Sequence, residues 1–184
     1  MASMPAPTVL VILAEGFEEI EVVTPVDILR RSGAEVTIAA LGEGIHATGR
    51  NGLTIHADTT LAAADGARFD CILIPGGPGV ARIRADPRVP ALVRRQVEGH
   101  GWIAAICAAP TVLKDAGVLD GRRHTAHHSV AAELPGALFD ERVVVDGSII
   151  TSRGAGTALD FGLMLVEKLV SRERALEVAR SVFA

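Results

Sequence analysis

Three groups of residues in this 184-residue chain have types and spacing that suit chemistry. They are a cysteine closing an apolar run, a crowd of glutamates at a helix start and a late cluster of histidines. Cys107 ends the run Ile103-Ala-Ala-Ile106, with only Ala108, Ala109 and Pro110 before a helix expected over residues 111–115. A strand that turns directly into a helix through a nucleophile is the elbow of α/β hydrolases, a strained turn that exposes its side chain. Bulky neighbours would clash in so sharp a turn, and here they are small. The helix start adds free N–H groups and a positive dipole end, which favour a thiolate. The plain alternative is a buried cysteine ending a core strand, because a free cysteine packs as a small hydrophobe.

Glu15, Glu18, Glu19 and Glu21 crowd one helix start. Carboxylates there are favourable against the helix dipole, which is explanation enough for Glu18 and Glu19. Glu21 differs, because Ile20, Val22 and Val23 surround it. A half-buried carboxyl has a raised pKa, and a protonated one beside Cys107 would donate a hydrogen bond to the thiolate. Spacing does not bring the two together. His124, His127 and His128 follow Cys107 by about 20 residues, and one of them could serve a Cys–His arrangement. The alternatives are loop histidines at the surface or, less well matched, a metal site, for which no structural-zinc ligand spacing exists. His46, His56 and His100 lack chemical context, and Cys71 sits among apolar residues as core.

Gly76-Gly77 resembles a phosphate loop, yet neither Gly-x-Gly-x-x-Gly nor a Walker motif occurs. Its backbone N–H groups suit an oxyanion, together with the N–H of Ala108; the alternative is a tight turn needing positive φ. Ser152-Arg153-Gly154-Ala155-Gly156-Thr157 is a polar turn that either lines a pocket and meets an anionic group, or caps the next helix.

The elements that must position these groups follow from the apolar pattern. Residues 8–14 (TVLVILA) read as a strand buried on both faces. A helix over 18–31 follows, ended by Gly33, with a kink or late first turn expected at Pro25. Strands are expected over 35–41, 69–75 and 102–106, and a helix over 87–100 with Pro at its start. Residues 42–60 are Gly-rich, with short strands or a hairpin around 53–56. A hairpin over 143–151 turns at Asp146-Gly147, and helices over 157–169 and 171–183 close the chain, each with Thr or Ser near its start. The whole reads as one α/β domain over 1–184, a mostly parallel sheet between helices, with 1–7 a flexible leader. Ligands of such sheets bind outside the carboxyl ends of the strands, where Glu15–Glu21, Gly76–Gly79 and Cys107 fall.

A hydrophobic content of 49% with 22% charged residues describes an ordinary folded chain. The net charge of −4 gives no reason to expect nucleic acid or an anionic membrane, and 3% aromatics with no Tyr leaves no base-stacking platform. Two cysteines in separate apolar runs fit a reducing compartment, and no signal or membrane segment is evident, so a cytoplasmic location is expected.

Five stretches match a known pattern: Val11-Ile-Leu-Ala-Glu-Gly-Phe-Glu-Glu-Ile-Glu21, Pro25-Val-Asp-Ile-Leu-Arg-Arg31, Leu73-Ile-Pro-Gly-Gly77, Ala104-Ala-Ile-Cys-Ala-Ala-Pro110 and Thr151-Ser-Arg-Gly-Ala-Gly-Thr157. In this order they resemble the ThiJ/PfpI (DJ-one) superfamily, in the branch of the parkinsonism-associated deglycase and the chaperone YajL. The resemblance implies a flavodoxin-like three-layer sandwich, usually a homodimer, with no cofactor and no metal. It implies Cys107 as the oxidation-sensitive nucleophile, Glu21 as its protonated partner and His127 as the nearby imidazole. Gly76, Gly77, Ala108, Arg153 and Gly154 would hold the substrate or its oxyanion, and Ile20, Arg31 and Arg50 are interface candidates. The implied activity is glyoxalase III-type conversion of small α-oxoaldehydes such as methylglyoxal or glyoxal to lactate or glycolate, or deglycation of their early adducts. Redox sensing or holdase chaperoning through Cys107 oxidation is the alternative, and hydrolysis of another acyl substrate a third. Ala108 stands where the peptidase branch has His, and no His-x-Glu of the amidotransferases occurs. Other departures are His128 in place of Pro, Ala155 in place of Pro and Ala109 in place of Gly, and the end at Ala184 implies a missing final helix and a more open pocket.

Overall fold

The computed structural model describes residues 5–184, so residues 1–4 of the expected leader lie outside the described residues. Pro7 already belongs to the fold, because its carbonyl accepts the Glu35 N–H at 2.9 Å. The chain runs β1 (Thr8–Leu13), α1 (Glu19–Ser32), β2 (Glu35–Ala40), β3 (His46–Thr48), β4 (Thr54–His56), β5 (Thr59–Thr60) and α2 (Leu61–Ala64). It continues through β6 (Cys71–Ile74), α3 (Val80–Ala85), α4 (Arg88–Glu98), β7 (Trp102–Ile106) and α5 (Pro110–Asp115). β8 (Val143–Asp146), β9 (Ile149–Ser152), α6 (Ala158–Leu169) and α7 (Arg172–Ser181) complete it.

Seven strands form one sheet in the order β5-β2-β1-β6-β7-β9-β8, parallel except for β8, which pairs antiparallel with β9. Alternate residues of the inner strands enter opposite cores. Val9, Val11 and Leu13 of β1 join Leu73 and Ile106 on one side, and Leu10 and Ile12 join Ile74 and Ile103 on the other. A strand clothed on both faces has no polar face to show, which is why these segments read as unbroken apolar runs. Helices α1, α6 and α7 cover the first face, and α3, α4 and α5 the second. This is the flavodoxin-like three-layer sandwich. Chain order reverses between β1 and β6, the switch point at which such sheets open a crevice.

Several local expectations need correction. α1 already begins at Glu19, so Pro25 lies within the helix and not in a late first turn, with its Cα 3.2 Å from a Cβ placed on Gly162 of α6. That tight helix contact, with buried Pro25 and Ile28 against it, compensates for the one amide Pro25 lacks. α1 ends as expected, with Gly33 left-handed at φ 92°. Ser171 caps α7 by accepting the Arg174 N–H, but Thr157 makes no such bond to α6. Its hydroxyl instead binds Ser152 Oγ at 2.7 Å and the Gly154 carbonyl at 2.8 Å, which stitches the turn after β9. The Gly-rich 42–60 region forms the separate hairpin β3–β4 and adds β5 to the sheet edge. α2 and α3 are additional, short and without long apolar periodicity. No helix among the described residues is long and apolar enough to cross a membrane.

Candidate active site

The carboxyl ends of β1, β6, β7 and β9 lie side by side, and each delivers one part of the site. β7 ends in Cys107, which carries φ of +65°, a left-handed conformation rare for a residue with a side chain. Such a backbone costs roughly 1–3 kcal/mol and persists only when its surroundings over-determine it. They do here. The Cys107 N–H donates to the Ser152 carbonyl and its carbonyl accepts the His127 N–H, both at 2.9 Å. The expected elbow is present, and it turns the thiol out of the core to a half-buried position.

β6 delivers Gly76 and Gly77. A Cβ on Gly76 would stand 2.5 Å from both Cys107 Cβ and Glu21 Oε2, so the pair can approach only because this residue has none. Gly77 is left-handed at φ 91°, and a Cβ there would press to 2.6 Å on the Glu18 nitrogen. The N–H groups of Gly77 and of Ala108 both point at the Cys107 sulfur and pull its pKa down. Two amides converging on one atom form a nest for negative charge.

β1 and α1 deliver Glu21, the most deeply buried carboxylate of the four at the helix start. Its Oε2 accepts the Gly76 N–H at 2.9 Å and its carboxyl hydrogen-bonds the Cys107 side chain. Burial raises its pKa to about 7, against the lowering effect of those two bonds. The Cys107 thiol is pushed up to about 12, first by burial and then by the Glu21 charge and hydrogen bond. The two groups therefore titrate as one unit that holds a single proton over most of the range between these values. With that proton on Glu21 the sulfur is a thiolate receiving three hydrogen bonds. With it on Cys107 the Glu21 carboxylate accepts from the thiol and from the Gly76 N–H.

The three histidines part company. His127 lines the cavity over Cys107, whereas His128 stacks on Phe139 with ring centroids 4.8 Å apart. His124 is buried away from it, with Nδ1 2.9 Å from the Arg122 carbonyl and no partner for Nε2 among the described residues. The cavity itself holds about 350 Å³ and is lined by Glu18, Glu21, Arg50, Gly77, Pro78, Cys107, His127, Ser129 and Ala155. That size sits at the lower end of small-molecule sites. Two larger hollows, of about 410 and 640 Å³, open around Phe69, Gly99 and Gly101 at the other end of the sheet, where no nucleophile or perturbed group stands.

The match to the DJ-1/PfpI family model covers residues 7–168. The chain belongs to this family. It is 42% identical over 177 residues to protein dj-1beta of Drosophila melanogaster, spanning 94% of this chain and 95% of that one. The crystal structure of Drosophila DJ-1beta superposes with a TM-score of 0.95 at 40% identity, over 98% of this chain and 99% of that one. The glutathione-independent glyoxalase DJR-1.2 of Caenorhabditis elegans is 37% identical over 87% of each chain. Deglycase TK1284 of Thermococcus kodakarensis is 32% identical over 80% of this chain and 90% of its own.

Around this cavity, some residues stand elsewhere than sequence reasoning expected. The Arg153 guanidinium leans on the Phe139 carbonyl at 3.4 Å and is not among the cavity-lining residues, whereas Gly154 flanks both His127 and Glu21. Arg50 lines the cavity mouth 3.6 Å from the Glu18 carboxylate, carried there by a loop whose amide bonds Phe17. Arg31 pairs with Asp27 on α1, and Ile20 is half exposed near Leu53. Glu15 and Glu19 accept backbone amides of Thr48, Asn51 and Leu53, so they anchor the β3–β4 hairpin. Glu18 is the residue that was underestimated. It makes no side-chain cap at the helix start, is 8% exposed and faces the cavity. Its signal was available, because it stands at the helix cap three residues before Glu21, and a cap residue and the third helical residue lie beside one another. Ser129 carried no signal. Among the described residues no group of three or more His, Cys, Asp or Glu is placed to hold a metal ion.

Proposed function

We propose that the chain is a cofactor-independent glyoxalase or deglycase acting on small α-oxoaldehydes or their early adducts, with Cys107 as nucleophile. The supporting observation is the Cys107 thiol on a left-handed elbow, met by two backbone amides and a carboxyl that titrates near neutrality. The names of the worm glyoxalase and the archaeal deglycase point the same way. The thiolate adds to the aldehyde carbon and gives a hemithioacetal whose oxygen takes the place of the sulfur's charge before the Gly77 and Ala108 amides. One general acid/base then carries the aldehyde-derived hydrogen to the neighbouring carbon through an enediol. The product is a thioester, which water hydrolyses to a 2-hydroxy acid. A group titrating near 7 is best suited to both halves of that transfer, and Glu21 is such a group.

Turnover of methylglyoxal to lactate, assayed in amine-free buffer, tests this reading. Cys107→Ala is expected to lose at least about 10³-fold in kcat, as nucleophile removal does elsewhere. Wild-type turnover in that variant overturns the scheme. A second reading, a redox sensor or holdase, is supported by the contrast between the half-buried Cys107 and the fully buried Cys71. Mild peroxide followed by peptide mass would then add oxygen at Cys107 alone, up to the sulfinic acid. The same family reading includes a homodimer through the face bearing Ile20, Arg31 and Arg50, in keeping with exposed Ile20, Val23 and Leu53. Light scattering that finds a monomer at micromolar concentration rejects it.

A further inference from the structure

The two edges of the His127 ring meet different surroundings. Nδ1 caps the short turn His128–Val130, where it accepts the Ser129 N–H at 3.2 Å and lies 2.9 Å from Ser129 Oγ. The opposite edge adjoins the reacting pair. A Cβ on Gly154 would stand 3.4 Å from His127 Cδ2 and 3.9 Å from Glu21 Oε1, so Gly154 keeps open the space between them. A backbone amide has a proton to give and no lone pair to receive one, so it can meet only a bare ring nitrogen. The Ser129 hydroxyl rotates freely and donates to the same lone pair. Nδ1 is therefore the unprotonated nitrogen of the neutral ring, and the proton sits on Nε2, on the edge that faces Gly154.

We propose that His127 serves the reaction as a hydrogen-bond donor through Nε2–H, while Glu21 alone moves the proton between carbons. Ser129 is the positioning residue that fixes this division. The proposal rests on the glyoxalase reading above. As the hemithioacetal forms, the Glu21 carboxylic acid gives its proton to the new oxyanion, and the resulting carboxylate takes the proton from the sulfur-bearing carbon. The electron pair of that C–H bond becomes the carbon–carbon double bond, and the neighbouring carbonyl becomes an enolate oxygen that accepts from His127 Nε2–H. A proton passes from the hemithioacetal hydroxyl to that oxygen. The Glu21 carboxylic acid then returns its proton to the second carbon, which leaves the thioester and restores the carboxylate. His127 keeps its proton throughout.

Three measurements on the full chain test this. Long-range proton–nitrogen correlation on ¹⁵N-labelled protein at pH 8 is expected to find a pyridine-type Nδ1 and a pyrrole-type Nε2 for His127. The reverse pattern overturns the proposal, whatever the activity. In the methylglyoxal assay His127→Ala is expected to lose about 10²-fold in kcat, as a lost oxyanion donor does. His127→Gln, whose amide still donates, should stay within about tenfold of wild type, since a well-aimed donor remains. Gln as slow as Ala means that His127 acts as a base. Ser129→Ala should lower kcat about threefold to tenfold at constant KM, the worth of one neutral hydrogen bond, and Ser129→Thr should restore it. Unchanged kcat in Ser129→Ala removes Ser129 from the scheme. Wild-type turnover in Cys107→Ala removes the glyoxalase reading itself, and the nitrogen spectrum still reports the His127 tautomer.

Discussion

Cys71 and Cys107 are the same side chain on neighbouring strands of one sheet, and only one of them meets groups that oppose the effect of burial. Cys71 opens β6, pairs in register with Val9 and Trp102, and is 0% exposed within the core under α1 and α6. Burial, with the Asp70 carboxylate beside it, drives its thiol far up and nothing draws it back. Burial raises Cys107 as well, but there two amides oppose it and a carboxyl shares its proton. Burial alone makes a cysteine inert. The backbone makes the difference, because a left-handed residue at a strand end aims its side chain at the N–H groups of Ala108 and of Gly77 from the neighbouring strand's loop.

The sharpest way to break this contrast is to crowd the pair without touching either member. Gly76→Ala would drive a Cβ to 2.5 Å from both Cys107 Cβ and Glu21 Oε2. Turnover should fall by about 10²-fold or more, since a displacement of about 1 Å costs that much in a positioned reaction. Overpacking should also cost about 1–3 kcal/mol in denaturant unfolding. A variant with wild-type kcat would mean that the approach of Glu21 to Cys107 is irrelevant to catalysis.

Removing the carboxyl tests the shared proton. Alkylation of wild-type Cys107 should rise with pH through about 7, where the pair loses its first proton. In Glu21→Ala that rise should move upward, because the thiol must ionise while buried and without the donor. No upward movement would count against the shared proton, and Cys71 should stay unreactive in both proteins. Stability carries the same signature. Glu21 is raised from 4.5 to about 7, so the folded chain keeps a proton that the unfolded chain has released. This contribution is fully present below pH 4.5 and is lost as pH rises through about 7. By linkage it amounts to about 3 kcal/mol. Glu21→Gln should be flatter than wild type across that window in chemical denaturation. Parallel curves would show that Glu21 is not held protonated.

The elbow and its sheet were legible because burial on both faces writes an unbroken apolar run, as in residues 8–14 and 102–106, and Gly33 marked the end of α1 in the same local way. The meeting of Glu21 with Cys107 was not legible from spacing. They stand 86 positions apart, and a Gly-Gly turn from a third strand sits between them. Glu18 had a sufficient local explanation in the helix dipole, which hid its place on the cavity wall beside Arg50. Arg50 arrives on a hairpin that packs through Glu15 and Glu19, so its position depends on tertiary anchoring of a Gly-rich segment with no strong pattern of its own. Arg153 fails for the complementary reason. Its neighbours Ser152, Gly154 and Thr157 bond one another, and this turns the Arg153 side chain toward Phe139.

The smallest expected effect is the one that isolates packing from chemistry. Cys71→Ala removes a buried sulfur from the core beneath the sheet and leaves a methyl in its place. The lost contacts and small void should cost about 1 kcal/mol, in the range of trimming one heavy atom from a core side chain. Because Cys71 pairs in register with Trp102 across the paired strands β6 and β7, a larger rearrangement would be transmitted along β7 to the elbow. If the backbone of Cys107 is held by its own bonds to Ser152 and His127, that transmission is absorbed, and kcat and KM for methylglyoxal stay at wild-type values. Paired unfolding curves and steady-state kinetics decide it. A loss of turnover larger than the loss of stability would mean that the elbow is set by core packing as well as by its own hydrogen bonds, and the two cysteines would no longer be independent.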